Sequence, residues 1–181
     1  MARSARSGQD PVVDALADPA FYPHAPRTVE RVQTHISHVF LAGAFVYKLK
    51  KAIRLPFADF STLERRRVFC DEEVRLNRRL TPEVYLGVLR VTRSPEGRLA
   101  LDGAGETIDY VVWMRRLPAE RVLAALIETG GVRPEMLDQL VILLARFHAA
   151  ARTGDAIAMY ATPAAISATW GQTLGLAAPL A

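Results

Sequence analysis

The spacing of three short strand patterns near the start of the chain constrains its fold most strongly. Residues 29–34, 38–41 and 44–53 are rich in β-branched and aromatic side chains, and only very short links separate them. Links of this length join neighbouring antiparallel strands, because a connection between parallel strands needs a dozen or more residues. This part of the chain therefore predicts a β-meander.

A helix and further strands follow the meander. Ser61 and Glu64 have the spacing of a capping box, with Ser61 at the N-cap and Glu64 at the third helical position. We expect this helix to span residues 61–80, because Thr81 and Pro82 end it. The next strand patterns lie at residues 85–92, 98–101 and 107–114.

The last third of the chain has a helical period. Apolar residues recur at steps of three and four in residues 134–151, and weaker helical patterns cover 119–129 and 166–174. The predicted fold class is therefore α+β, with an antiparallel sheet and one helix followed by helices alone. The predicted divisions are a polar tail (residues 1–10) and short helix within 1–28, a mixed lobe at 29–114 and a helical part at 115–181.

Composition narrows the function classes. No apolar run is long enough to span a bilayer. The first residues lack the apolar stretch of a secretory signal peptide, so we expect a cytoplasmic protein. The single cysteine excludes an internal disulfide framework and a cysteine-rich zinc site. The net charge is +4, but the arginines are interspersed with acidic residues, which is typical of a solvated helix face. Nucleic acid is therefore not an expected partner.

One glutamate of the predicted helix needs a partner inside the fold. Glu73 lies at a helical step from Cys70, which indicates that this stripe of the helix faces the core. A buried carboxylate is stable only when it is paired. Lys48, in the third strand pattern, is the predicted partner. Lys50 points the same way by strand alternation, so either lysine fits the role.

Five motifs, taken in order, resemble one bacterial family. They are THISHVFL at residues 34–41, VYKLKK at 46–51, DFSTLERR at 59–66, EVRLNRRL at 73–80 and YLGV at 85–88. The series is similar to that of the aminoglycoside phosphotransferase-like predicted kinases, which are often fused to a C-terminal P-loop kinase domain. The resemblance covers about residues 11–174. It implies a protein-kinase-like N-lobe followed by an incomplete helical C-lobe.

The resemblance implies an ATP site in the mixed lobe. Lys48 would bridge the α- and β-phosphates of ATP, and Glu73 would orient Lys48. The turn that ends at Ser37 would lie over the phosphates. Because this turn lacks the glycine-rich pattern of protein kinases, phosphate contacts there would come from backbone N–H groups or from the Ser37 hydroxyl.

The same resemblance assigns the residues that would hold the base. Val46 would line the adenine pocket, and Met114 would lie near its back. The backbone from Arg115 to Leu117 would form the hinge that hydrogen-bonds adenine. The implied ligands are a nucleotide and, for phosphate transfer in this family, a small hydroxylated acceptor.

The residues that carry out phosphate transfer are not recognised in this chain. The family has an HGD-like loop that positions the acceptor, together with an Asn and a later Asp that hold Mg²⁺. This chain has no His-x-Asp, and Asp155 is the one acidic residue after Ala151. A GxxxxGK[ST] motif is also lacking. We therefore assign no catalytic residue and no metal ligand, and expect a truncated kinase that does not transfer phosphate by itself.

A non-catalytic interpretation remains open. The apolar face of the predicted helix at residues 134–151 needs a cover, which a missing C-lobe or a P-loop kinase partner would supply. The alternative function is a nucleotide-binding or interaction module that depends on such a partner.

Overall fold

The chain forms two compact units, Met1–Gly131 and Val132–Ala181. The structure, a computed structural model, describes residues 8–177, so most of the predicted tail at residues 1–10 lies outside the described residues. Within the described part, every strand belongs to the first unit and the second unit is helical. The predicted α+β class, with an antiparallel sheet and several helices, is confirmed.

The elements are numbered in chain order. The strands are β1 (Val29–Gln33), β2 (Ser37–Ala42), β3 (Phe45–Lys50), β4 (Arg54–Leu55), β5 (Ala58–Asp59), β6 (Tyr85–Arg93), β7 (Leu99–Leu101) and β8 (Glu106–Arg115). The helices are α1 (Asp10–Ala17), α2 (Leu63–Asn77), α3 (Leu123–Glu128), α4 (Pro134–Ala149), α5 (Asp155–Ala158) and α6 (Pro163–Ala177), with 3₁₀ turns at Pro19–Phe21, Ala119–Arg121 and Met159–Ala161.

A six-stranded antiparallel sheet is the frame of the first unit. Its strand order is β1-β2-β3-β8-β6-β7, so the predicted meander is confirmed and β8 lies between β3 and β6. The register pairs Val46 of β3 with Met114 of β8. The predicted third strand is too long, because β3 ends at Lys50 and the chain turns into a small β4–β5 hairpin that the sequence pattern did not indicate.

Both faces of the sheet carry a helix. On one face, Val12 and Leu16 of α1 join a buried cluster that includes Leu49 and Val111. On the other face, α2 contributes Cys70 and Val74 to a second cluster with Val112. Adjacent residues of β8 thus enter opposite clusters, as strand alternation requires. This arrangement fixes α2 against the centre of the sheet.

The start of α2 differs from the predicted capping box by one residue. Thr62, not Ser61, is the N-cap, and its hydroxyl accepts a hydrogen bond from the Arg65 N–H at 3.2 Å. Ser61 lies one residue before the N-cap, and its hydroxyl donates to Asp59 at 2.6 Å. The helix then runs to Asn77, three residues short of the predicted end, where Thr81 N–H also bonds the Asn77 carbonyl.

The helix predicted at residues 119–129 is divided. A 3₁₀ turn at Ala119–Arg121 closes when the Val122 N–H bonds the Ala119 carbonyl at 3.2 Å. Val122 has an extended backbone, with ψ of 138°, so α3 begins only at Leu123. The prediction of one continuous helix was wrong at this point.

The second unit contains α4, α5 and α6. The helix predicted at 134–151 is present as α4, and the pattern at 166–174 lies within α6. None of the residues of α4 is buried, and five consecutive apolar residues, Leu140 to Leu144, are exposed. None of the helices within residues 8–177 is both long enough and apolar enough to cross a membrane.

Candidate functional site

Strand β3 and helix α2 bring two lysines to one glutamate. Lys48 and Lys50 are two residues apart on β3, so their side chains leave the same face of the sheet. Glu73 faces them from the third turn of α2. Lys48 Nζ lies 2.8 Å from Glu73 Oε1, and Lys50 Nζ lies 2.6 Å from Glu73 Oε2. The predicted contact between Lys48 and Glu73 is present, and the alternative partner Lys50 occupies the second carboxylate oxygen.

Burial differs among the three charged side chains. The exposed fraction is 6% for the Lys50 side chain, 12% for Glu73 and 26% for Lys48. Burial by itself raises the pKa of Glu73, but the hydrogen bonds from Lys48 and Lys50 outweigh it and leave that pKa below its ordinary value. Glu73 is therefore ionised at neutral pH. The trio holds two ammonium groups and one carboxylate, a formal charge of +1.

An open cavity begins beside this trio. Its volume is about 400 Å³, and Val46 and Met114 form part of its wall. Volumes of a few hundred Å³ are typical of small-molecule sites. Arg115 and Leu117, which belong to the predicted hinge at residues 115–117, also line the cavity. The lining residues are Val46, Asn77, Thr81, Val84, Tyr85, Met114, Arg115 and Leu117.

Two residues link the cavity to the trio. Asn77 lies one helical turn beyond Glu73 and donates to the Glu73 carbonyl at 2.8 Å. Tyr85 has a raised pKa, mainly because it is partly buried; Glu73 raises it further and Lys48 lowers it. Tyr85 therefore lies within the electrostatic reach of both Glu73 and Lys48. The cavity and the trio therefore lie near each other, although none of the three charged residues is among those that line the cavity.

The connector after β8 has few free donors. The Arg115 N–H donates to the Val84 carbonyl, and the Arg116 N–H donates to the Ala44 carbonyl, each at 2.8 Å. A hydrogen bond between this stretch of backbone and a ligand would therefore be donated by the Leu117 N–H or accepted by a carbonyl oxygen. This restricts the hinge function expected for residues 115–117.

Ser37 is placed differently from the expectation. It is fully buried at the first position of β2, opposite Lys50 in the register, and not at the exposed tip of the turn. Its N–H is held by the Thr34 hydroxyl at 3.0 Å. A buried hydroxyl cannot reach a ligand above the turn, so we correct this assignment and leave Ser37 out of the site.

A buried polar network contacts the backbone of Lys50. Asp109 of β8 has no exposed surface and accepts hydrogen bonds from Arg66 at 2.7 Å and from Gln9 at 2.6 Å. Gln9 also donates to the Lys50 carbonyl at 2.9 Å and accepts from the Ala52 N–H at 2.6 Å. Arg66 thus has a structural role, in a buried ion pair with Asp109.

Neither Gln9 nor Asp109 was predicted from the sequence to be part of the site. Asp109 gives a usable signal, since an acidic residue inside the apolar pattern at 107–114 needs a buried partner, and Arg66 lies on the inward stripe of α2. Gln9 gives no such signal, because it belongs to a polar stretch whose composition suggests only a tail. Its hydrogen bonds depend on contacts far apart in the chain.

Possible metal ligands are scattered. Within residues 8–177, no group of three or more His, Cys, Asp or Glu side chains is arranged to hold a metal ion. Asp155 lies in the short helix α5 of the second unit.

The chain is similar to three mycobacterial proteins, each named as uncharacterized: Mb2027c of Mycobacterium bovis, and MT2060 and Rv2004c of Mycobacterium tuberculosis. Each is 32% identical over 142 residues, which cover 78% of this chain and 27% of the relative. The match thus spans about a quarter of the length of these relatives. No protein-family model matches the chain. No solved structure matches it either.

Proposed function

We propose that the first unit binds ATP in the manner of a kinase-like N-lobe. The observation that carries this proposal is the position of Lys48, held by Glu73 at the edge of a cavity lined by Val46 and Met114. An ammonium group next to an apolar cleft suits a ligand with a flat base and a chain of phosphates. The antiparallel sheet with α2 packed on its centre agrees with this type of lobe, while α1 covers the opposite face.

The chemistry of the side chains fits a nucleotide. Lysine is a common phosphate ligand because it presents a compact charge with three donors. The apolar side chains of Val46 and Met114, which are paired on neighbouring strands, would contact one face of adenine, while the connector at Leu117 would form hydrogen bonds with its edge. The cationic trio and the apolar wall are adjacent, as the two ends of a nucleotide require.

We infer further that this nucleotide site belongs to a phosphotransferase of the aminoglycoside phosphotransferase-like kind. In the complete family fold the nucleotide would be accompanied by Mg²⁺ and would donate phosphate to a small hydroxylated acceptor. The support is the series of motifs at residues 34–88. We expect no phosphate transfer by these 181 residues, because the loop that positions the acceptor is not recognised in them.

The test is stabilisation of the full chain by ATP. We expect the melting temperature to rise with ATP concentration, since a ligand that binds only the folded state stabilises it by mass action. Lys48→Met should reduce the apparent affinity at least tenfold, as loss of a charge-assisted hydrogen bond predicts. The matched control is Lys51→Met, which removes the same charge from a side chain that bonds the Thr34 carbonyl.

Two results would contradict the proposal. The first is a melting temperature of the unaltered chain that does not respond to millimolar ATP. The second is an equal loss of ATP affinity in the Lys48 and Lys51 variants, which would mean that ATP is attracted by positive charge in general and not bound by Lys48.

The second candidate, a partner-dependent interaction module, is favoured by α4. Leu140, Val141 and Ile142 are exposed in succession, so apolar side chains point in several directions around this helix. A helix of this kind is normally covered on most sides. Sedimentation of the pure chain separates the candidates: self-association that Val141→Lys abolishes supports the module, whereas a monomer with an intact ATP response supports the first proposal alone.

A further inference from the structure

We propose that Lys50 is a positioning residue that neutralises Glu73 and thereby leaves the charge of Lys48 available to the phosphates. This inference rests on the proposed ATP site and assigns the two lysines different roles: Lys50 pairs with Glu73, and Lys48 contacts the phosphates. A single lysine paired with a glutamate is a neutral pair, and a phosphate must compete with the carboxylate for its ammonium. Here a second lysine occupies the carboxylate.

The two lysines use different oxygens of Glu73. Lys48 bonds Oε1 and Lys50 bonds Oε2, so neither displaces the other. An ammonium group has three donors, and Lys48 uses one of them on Glu73. If Lys48 turns toward a phosphate, Glu73 keeps a partner at 2.6 Å and is never left as an unpaired, mostly buried charge.

Their positions along β3 show which lysine faces the ligand. Val46, Lys48 and Lys50 follow one another on one face of the strand, and Val46 lines the cavity. Each step of two residues moves the side chain about 7 Å along the strand. Lys48 is therefore next to the cavity, and Lys50 is one step farther away.

The surroundings of Lys50 separate it from the cavity. Its ammonium lies 5.2 Å from the centre of the Phe60 ring, in a cation–π contact, and Phe60 is not among the residues that line the cavity. Only 6% of its side chain is exposed, compared with 26% for Lys48. Tyr85, on the cavity wall, is influenced by Glu73 and Lys48. A ligand in the cavity would thus meet Lys48 first.

The backbone of Lys50 is also fixed. Gln9 donates to the Lys50 carbonyl at 2.9 Å and to Asp109 at 2.6 Å, while its own amide oxygen accepts from Ala52. Residue 50 is therefore held between α1 and β8. A lysine with a fixed backbone and a buried side chain suits an anchor better than a ligand contact, which needs freedom to adjust.

A double-mutant cycle tests this division of labour. The affinity for ATP is measured by calorimetry for the full chain, Lys48→Met, Lys50→Met and the double variant. If Lys50 acts through Glu73 and Lys48, Lys50→Met weakens binding about tenfold in the unaltered chain. In the Lys48→Met background it changes the affinity less than twofold, because no Lys48 remains to be positioned.

A rescue experiment gives an independent readout. Removing Lys50 leaves Glu73 free to capture Lys48, so Glu73→Gln added to Lys50→Met should recover at least threefold of the lost affinity. Lys50→Arg, which keeps the charge, should bind ATP within threefold of the unaltered chain. If Lys50→Met fails to fold by circular dichroism, Lys50→Gln replaces it throughout, since its amide can still donate to Glu73 without the charge.

The outcomes separate the two proposals. Equal losses from Lys50→Met in both backgrounds would mean that Lys50 touches the phosphates itself, and would overturn this inference while leaving the ATP site intact. An unchanged affinity in a folded Lys50→Met protein would make Lys50 purely structural and also overturn it. If the unaltered chain binds no ATP, the proposed function fails and the role of Lys50 fails with it.

Discussion

Replacement of Asp109 by asparagine should destabilise the first unit strongly. Asp109 is buried with Arg66, whose side chain is only 7% exposed, and it accepts hydrogen bonds from Arg66, Gln9 and the Tyr110 N–H. Asparagine has nearly the same shape but no charge. The substitution therefore leaves the Arg66 guanidinium buried beside a neutral group.

The expected loss follows from that uncompensated charge. Removing one partner of a buried ion pair typically costs about 3–5 kcal/mol. Domains have a total stability of about 5–15 kcal/mol, so Asp109→Asn should remove a large share of it. For a chain of this size the corresponding fall in melting temperature is roughly 6–20 °C.

The chain offers a matched control. Asp102 pairs with Arg90 at 3.2 Å, but both side chains are about half exposed, and such pairs contribute about 0–1 kcal/mol. Asp102 also has a φ of 47°, a backbone conformation that asparagine tolerates well. Asp102→Asn should therefore shift the melting temperature little.

Tryptophan fluorescence is a suitable assay. Trp113 lies on β8 and packs against the core of the first unit, whereas Trp170 is exposed in the second unit. In a Trp170→Phe background, urea unfolding followed at Trp113 reports on the first unit alone. Equal unfolding free energies for the Asp109 and Asp102 variants, within about 1 kcal/mol, would refute the account of the buried network.

Two further predictions concern acid stability and a turn. Burial, together with the positive charges of Arg31 and Lys51, lowers the pKa of His38 from 6.5 to about 4. The neutral imidazole therefore stabilises the fold fully above pH 6.5, and this contribution is lost as the pH falls toward 4. His38→Gln should make the unfolding free energy decline less steeply across that window, and an unchanged decline would contradict this. Gly105→Ala should destabilise the fold by more than about 1 kcal/mol, because Gly105 has a φ of +122° and a Cβ there would lie 2.2 Å from the Arg93 carbonyl oxygen. Gly87→Ala, with open space around the added Cβ, should leave the melting temperature nearly unchanged. Equal falls in melting temperature for the two variants would contradict this prediction.

Much of the local structure could be predicted from periodicity. Alternation along β3 predicted that Lys48 and Lys50 share a face, and the helical step from Cys70 predicted that Glu73 points inward. Both predictions depend on spacings within one element. The bond from each lysine to a different oxygen could not be predicted, because it depends on the exact distance between α2 and β3.

Long-range placement was harder to predict. The position of β8 between β3 and β6 depends on pairing between strands that are far apart in the sequence, and the order of the strand patterns along the chain does not reveal it. Gln9 looked like part of a polar tail, yet it is 7% exposed and bridges two strands. Ser37 was misplaced because the exact start of β2 decides whether its hydroxyl is exposed or buried.

The most direct test of the central claim uses methyl NMR. The chain has four methionines, and Met114 is the one that lines the proposed adenine site, while Met136 and Met159 belong to the second unit. With ¹³C-methyl methionine, and Met114 assigned through Met114→Leu, saturating ATP should shift the Met114 signal and give cross-peaks between its methyl group and the adenine protons. A Met114 signal that stays unchanged at saturating ATP, or cross-peaks from adenine to a different methionine, would contradict the proposed site.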